Sequence, residues 1–135
     1  MSRRLQLKDI LGHPGNNGLY RLVEGVVPTG GLTLAGARLT GKAAMLEAIS
    51  GALDFPDYFG ANWDALEECL TDLSWLEGDV VLVIDQASVP EKRAPEDWGM
   101  CLDILADAAR FWSDQGRPFA VFLRDSHAAL KVVQS

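Results

Sequence analysis

Four carboxylates stand at helical spacing near the middle of the chain and are the first candidates for chemistry. Asp64, Glu67 and Glu68 are three or four residues apart, and Asp72 follows Glu68 by four, so a helix would place them on one side. Carboxylates grouped in this way can bind a divalent cation, move protons, or present negative charge to a cationic partner. A solvated helix face without a function is the remaining interpretation, because charged helix faces are common.

The residues that catalysis would need beside these carboxylates are missing. No histidine lies nearer in sequence than His13 or His127, no HExxH or DxD spacing occurs, and no serine, cysteine or lysine has a recognisable nucleophile context. We therefore expect no catalytic residue, no metal site and no cofactor. Like charges on one face destabilise an isolated helix by roughly a few tenths of a kcal/mol for each pair, so a cluster without any function would lower the stability of the helix.

The distribution of charge favours a cationic protein as the partner. The 49 residues between Lys42 and Lys92 contain no lysine or arginine, yet they hold eleven of the nineteen acidic residues of a chain whose net charge is -7. Nucleic-acid binding needs clustered basic residues to contact phosphates, so direct nucleic-acid recognition is excluded. One surface of the protein should instead present a strongly negative field to a basic protein.

A small parallel α/β domain is predicted to position the carboxylates. The run Val80–Ile84 is apolar throughout, which is typical of a strand covered on both faces, and two further strands are predicted at Leu32–Ala35 and Phe119–Leu123. Apolar periodicity predicts helices at Lys42–Leu53, at Trp63–Ser74 and from Pro95 to Gly116. Thr40 and Asn62 are the predicted N-caps of the first two helices. Residues 86–94 are predicted to form a polar loop, and the tail after Arg124 to fray or form one more turn.

The first 30 residues differ in composition from the rest. Two clusters of turn formers, HPGNNG and PTGG, surround one short alternating segment at Leu19–Val23. We predict an N-terminal extension over residues 1–30 that adds at most one strand, followed by one domain over residues 31–135. The sheet is therefore predicted to have three strands, or four if the extension contributes one.

Targeting and redox signals are absent from the sequence. It has no apolar signal-peptide core and no run of about 20 apolar residues, so we expect a cytoplasmic protein without membrane association. Cys69 and Cys101 fall within apolar helical patterns and lack metal-binding spacing, which predicts reduced core thiols. Core positions are also predicted for Trp63, Trp98 and Trp112. Trp75 either closes the core or lies at the rim of the docking surface.

The stretch FPDYFGANWDALEECLT at residues 55–71 resembles the signature of the barstar family of ribonuclease inhibitors. A weaker similarity extends over about residues 32–124 and leaves residues 1–30 outside. The resemblance implies a small parallel α/β domain that fills the active site of a secreted microbial ribonuclease while that enzyme is still inside the producing cell. It implies inhibition and not catalysis.

The resemblance also assigns partner-binding residues. The family's contact tyrosine falls on Tyr58, its loop glycine on Gly60, its helix-start asparagine on Asn62, its first contact aspartate on Asp64 and its dominant aspartate on Glu68. Glutamate keeps the charge of that dominant aspartate and moves it one methylene outward.

Other positions depart from the family's pattern. Glu67 stands where the family's best-known member has a tryptophan, and Leu73 or Trp75 takes a further aromatic position. Phe111 and Gln115 replace two acidic contacts, with Asp114 nearby.

Together, these features predict a cytoplasmic, barstar-like inhibitor of a basic, extracellular-type ribonuclease of the barnase type, monomeric when free. The expected partner-binding residues are Tyr58, Gly60, Asn62, Asp64, Glu67, Glu68 and Asp72. The changed contacts at Glu67, Phe111 and Gln115 leave an alternative, a barstar-like interaction module that binds a different basic toxin or regulatory protein. An enzyme that uses Asp64 and Glu68 is the least favoured interpretation.

Overall fold

The computed structural model describes residues 5–57 and 59–135, and within them the chain forms six strands and five α-helices. The strands are β1 (Leu5–Gln6), β2 (Gly18–Leu22), β3 (Leu32–Ala35), β4 (Val80–Asp85), β5 (Phe119–Leu123) and β6 (Val132–Gln134). The helices are α1 (Leu7–Ile10), α2 (Lys42–Ala52), α3 (Trp63–Leu70), α4 (Ser88–Arg93) and α5 (Pro95–Gln115). No helix of the described residues is both long and apolar enough to cross a membrane.

The strands form one sheet in the order β1-β6-β2-β5-β4-β3, and every neighbouring pair is parallel. The predicted parallel α/β class, with helices packed on the sheet, is confirmed. The predicted number of three or four strands is wrong, because β1 and β6 were missed. They contain two and three residues, which is too short for a recognisable alternation of side chains.

Both faces of the sheet are covered. On one face, side chains such as Leu82 and Val121 belong to the core shared with helices α2, α3 and α5. On the other face, Val81 and Phe122 pack in a second cluster with Ile10 of α1. Burial on both sides explains why the sequence of β4 is apolar at every position from 80 to 84.

The N-terminal residues supply a strand in the interior of the sheet. β2 pairs with β5, where Gly18 faces Ala120, and on its other side with β6. Just before β2, the Asn17 amide group donates to the carbonyl oxygens of Ala109 (3.2 Å) and Arg117 (2.8 Å) and accepts the backbone N–H of Phe119 (2.7 Å). The division into an extension over 1–30 and a domain over 31–135 stays a prediction about domain organisation.

Local capping differs in part from expectation. Asn62 caps α3 as predicted, but α2 is preceded by Gly41 and not by Thr40, and no side chain caps it. α3 ends at Leu70, four residues earlier than predicted, and Leu73 beyond it adopts a left-handed φ of 47° that a helix cannot contain. Residues 86–94, predicted to be a loop, contain the short helix α4.

Gly36, directly after β3, leaves no room for a side chain. A Cβ atom there would lie 1.9 Å from the carbonyl oxygen of Asp85. We expect Gly36→Ala to lower the free energy of unfolding by about 1–3 kcal/mol, because the backbone of β4 would have to move. Gly51→Ala is the control, since nothing lies within 4 Å of its added Cβ atom. Urea denaturation of both variants measures the difference, and equal effects would contradict the steric explanation.

Candidate functional site: an acidic helix face

The acidic face consists of Asp64, Glu67, Glu68 and Asp72, and all four residues are exposed. Asp64 lies in the first turn of α3, Glu67 and Glu68 lie in its last turn, and Asp72 lies in the turn that follows. The opposite side of the helix is buried through Leu66, Cys69 and Leu70. Burial of that apolar side fixes the rotation of the helix and leaves the carboxylates in solvent.

Aromatic packing holds the loop before α3 against the core. Phe55 meets Phe59 edge to face, with 5.0 Å between ring centroids, and meets Trp75 in the same way at 5.8 Å. The indole N–H of Trp75 donates to the carbonyl oxygen of Leu53 (2.9 Å). Of the two positions considered for Trp75, the structure shows the one that closes the core. Tyr58 lies outside the described residues.

Asn62 joins this loop to the helix. Its side-chain oxygen accepts the backbone N–H of Ala65 at 2.7 Å, and its Nδ2 donates to the carbonyl oxygen of Gly60 at 3.4 Å. Ala61 between them adopts a left-handed φ of 51°. The capping bond therefore sets the position of the loop glycine relative to the first turn of the helix.

A small pocket brings the loop and the acidic face together. Its volume is about 140 Å³, and it is lined by Phe59, Gly60, Ala65, Glu68, Cys69 and Asp72. Three of the expected partner-binding residues, Gly60, Glu68 and Asp72, thus share one concave surface, whereas Asp64 and Glu67 lie outside the pocket. Phe59 and Ala65 were not among the residues predicted to bind the partner. The helical spacing of Ala65 and Glu68, three residues apart, was the signal that could have identified Ala65.

Among the described residues, the negative charge of this surface has no ion-pair partner. Within residues 5–57 and 59–135, none of the four carboxylates forms an ion pair, and the salt bridges shown there join Arg110 to Asp107 and Arg124 to Asp85. Among the described residues, no three histidine, cysteine or acidic side chains are grouped to hold a metal ion.

Arg117 lies beyond the end of α3, and its side chain binds carbonyl oxygens and not a carboxylate. Its guanidinium group donates to the carbonyl oxygens of Leu73, Leu76 and Gly78 and lies 5.0 Å from the ring centroid of Trp112. The last turn of α3 contains no basic residue, so Glu67 and Glu68 also face the negative end of the helix dipole. The free protein therefore bears electrostatic repulsion that a cationic partner would relieve.

Phe111 extends the surface beyond the acidic face. It is 38% exposed, and its ring packs edge to face on Trp112 at 4.9 Å. Trp112 in turn donates its indole N–H to the carbonyl oxygen of Leu70 at the end of α3 (2.6 Å). An apolar ring is thereby fixed close to the acidic helix. Leu73, one candidate for the family's aromatic position, is fully buried and presents no side chain to a partner.

The two cysteines are buried free thiols, as predicted. Burial raises the pKa of Cys69, and the negative charges of Asp72 and Glu68 raise that pKa further. Burial alone raises the pKa of Cys101 from 9.0 to about 12. Both thiols are therefore weak nucleophiles at neutral pH.

Ionisation of Cys101 should make stability depend on pH. An unfolded chain loses this proton near pH 9, whereas the folded protein keeps it to about pH 12. The contribution to stability is complete below pH 9 and is lost as the pH rises from about 9 to about 12. We expect the free energy of unfolding to fall less steeply over this range in Cys101→Ala than in the wild type. Urea denaturation at several pH values measures this, and identical slopes would contradict the assignment.

One protein-family model matches the chain, over residues 31–124, and its description is Barstar (barnase inhibitor). The match covers more than half of the 135 residues and contains the acidic face, the preceding loop and strands β3, β4 and β5. Strands β1, β2 and β6 lie outside it. No curated protein matches this chain.

Proposed function

The chain belongs to the barstar family, and we propose that it inhibits a barnase-type ribonuclease by placing its acidic face in the enzyme's active site. The observation that carries the proposal is the set of four exposed carboxylates, without ion-pair partners among the described residues, on α3 and the turn that follows it. All of them lie within the residues that the family model matches.

Charge complementarity supplies the mechanism. A ribonuclease must hold the phosphates of RNA with cationic side chains, and a row of carboxylates can occupy the same positions. The loop at residues 55–62 and α3 would then exclude RNA both by filling the cleft and by neutralising its charge. Glu68 has the central position in this proposal, because it lines the pocket together with Gly60 and Asp72.

The proposal includes the cellular setting that the family implies. The inhibitor acts in the cytoplasm as a monomer until it meets an extracellular-type ribonuclease, and it protects the producing cell from that enzyme. It needs no cofactor and catalyses no reaction of its own.

An inhibition titration tests the function. Purified full-length protein is added to a barnase-type ribonuclease, and RNA cleavage is measured at low salt and at higher salt. We expect cleavage to stop at one inhibitor per enzyme and the inhibition to weaken as salt screens the charges. Full cleavage at low salt in the presence of stoichiometric protein would contradict the proposal.

A different basic protein is the second candidate partner, and the exposed positions of Glu67 and Phe111 favour it. An extra charge and an aromatic ring beside the acidic face would suit a partner surface that differs from the usual one. Capture of a basic protein without ribonuclease activity, in a manner that Glu68→Ala abolishes, would support this alternative.

A further inference from the structure

A cavity of about 550 Å³ opens at the carboxyl ends of strands in the sheet. Its lining residues end or follow four different strands, β2, β3, β4 and β5: Glu24, Ala35, Asp85, Gln86, Arg124 and Asp125. None of them belongs to the acidic face or to the loop at residues 55–62. The cavity is therefore separate from the proposed inhibitory surface.

The path of the chain places this cavity at a topological switch point. Residues 23–31, which lead from β2 to β3, cross one face of the sheet, because Val26 packs there with Ile10 and Phe122. Residues 124–131, which lead from β5 to β6, cross the other face, because Leu130 packs on the helical core. β2 and β5 are parallel neighbours, so the chain leaves their carboxyl ends toward opposite faces. Parallel α/β sheets bind ligands in the crevice that forms at such a point.

Both connections contribute charged groups to the cavity. Glu24 comes from the first connection, and Arg124 and Asp125 come from the second. The guanidinium group of Arg124 donates to Asp85 Oδ1 at 2.7 Å and also to the carbonyl oxygen of Val26. These bonds tie the two connections together and hold the walls of the cavity in place before any ligand arrives.

The charge of the lining decides which ligand fits. Three carboxylates face one guanidinium group, and Asp85 already neutralises that group. Within the described residues, Glu24 has no ion-pair partner, and the hydrogen bond that the Asp125 carboxylate accepts there comes from the neutral hydroxyl of Ser88. An anion would be repelled here, whereas an ammonium or guanidinium group would gain two acceptors.

We propose that this cavity binds a small organic cation that carries ammonium or guanidinium groups, with the carboxylates of Glu24 and Asp125 as its acceptors. The volume lies within the range of about 300–1,000 Å³ that is usual for small-molecule sites. Glu24 precedes residue 31, where the family match begins, so the site depends on the N-terminal segment and not on the inhibitory surface.

Isothermal titration of the full-length protein with spermidine, and separately with agmatine, tests the site. We expect saturable binding of one cation per chain. Glu24→Gln should weaken it about fivefold to tenfold, as expected for the loss of one partly exposed charge-assisted hydrogen bond. Glu77→Gln is the matched control, because it removes the same charge from an exposed residue. Glu77 precedes β4 and so lies near the amino ends of the strands, whereas the cavity lies at their carboxyl ends. It should change the affinity less than about twofold, the effect of a distant surface charge.

A second variant fills the cavity without changing its charge. Ala35 is exposed and lines the cavity at the end of β3, so Ala35→Phe should abolish cation binding while the thermal unfolding transition persists. Absence of saturable binding by both cations would overturn the proposal. So would equal losses in Glu24→Gln and Glu77→Gln, unchanged binding by a folded Ala35→Phe variant, or tighter binding of succinate than of spermidine.

Discussion

Glu68→Ala is expected to weaken inhibition of a barnase-type ribonuclease by about 2–5 kcal/mol, or roughly 30-fold to 5,000-fold in the inhibition constant. That range is the usual loss when one member of a buried charge pair is removed, and it rests in part on measurements of a complex from this same family. The effect is large because a cationic side chain of the enzyme would remain buried without a partner. Inhibition constants measured at one salt concentration provide the comparison.

Glu77→Ala is the matched control, since Glu77 is also exposed but lies beyond the pocket that contains Glu68. It should weaken inhibition by less than about 1 kcal/mol, as expected for an exposed charge at the rim. Glu68→Ala should at the same time raise the stability of the free protein by roughly a few tenths of a kcal/mol, because it relieves repulsion at the end of α3. Equal effects of the two substitutions on inhibition would show that Glu68 is not the central contact.

Deletion of residues 1–30 is expected to abolish cooperative folding. The deletion removes β2 from between β5 and β6 and uncovers Phe122, which is fully buried in the intact chain. It also removes the buried side chains of Ile10 and Leu22, and each such loss costs about 2–5 kcal/mol. The total approaches the entire free energy of unfolding of an ordinary domain, about 5–15 kcal/mol. Circular dichroism during thermal and urea denaturation measures the outcome.

Two single substitutions separate the loss of packing from the loss of chain length. Leu22 is 5% exposed and its neighbour Val23 is 40% exposed. Leu22→Ala should lower the free energy of unfolding by about 2–5 kcal/mol, whereas Val23→Ala should lower it by less than about 1 kcal/mol, since it removes fewer carbon atoms from a side chain that is already partly in solvent. A sharp, cooperative unfolding transition in the fragment 31–135 would show instead that residues 1–30 are an accessory to a domain that folds by itself.

The central elements were predictable because their signals are local. The aliphatic run of β4, the apolar stripe of α5 and the Asn62 cap each depend on residues within one element, and the structure contains all three. The exposed carboxylates of α3 followed from the same periodicity, because burial of Leu66 and Leu70 leaves only one orientation for the helix.

What the sequence did not reveal depends on distant contacts. β6 becomes a strand because Val133 pairs with β1 and β2, whose residues lie more than 100 positions earlier in the chain. In the sequence, Asn17 belongs to a cluster of turn-forming residues. In the structure, its side chain forms hydrogen bonds with three backbone groups of α5, β5 and the residues between them. The cavity at Arg124 has no signature in sequence spacing, since it combines residues that end or follow four separate strands. The pocket at Gly60 is local by comparison, and the spacing of Ala65 and Glu68 was its one signal in the sequence.

The pairing of β2 with β5 also sets an order of events during synthesis. Gly18 of β2 pairs with Ala120 of β5 across about 100 residues of intervening chain. During synthesis, β2 therefore cannot pair with β5 until β5 has left the ribosome. Contacts that are so far apart in sequence close slowly, and the nascent polypeptide keeps unpaired strand edges in the meantime. Folding of this protein therefore requires that the incomplete sheet avoid aggregation until β5 has been made.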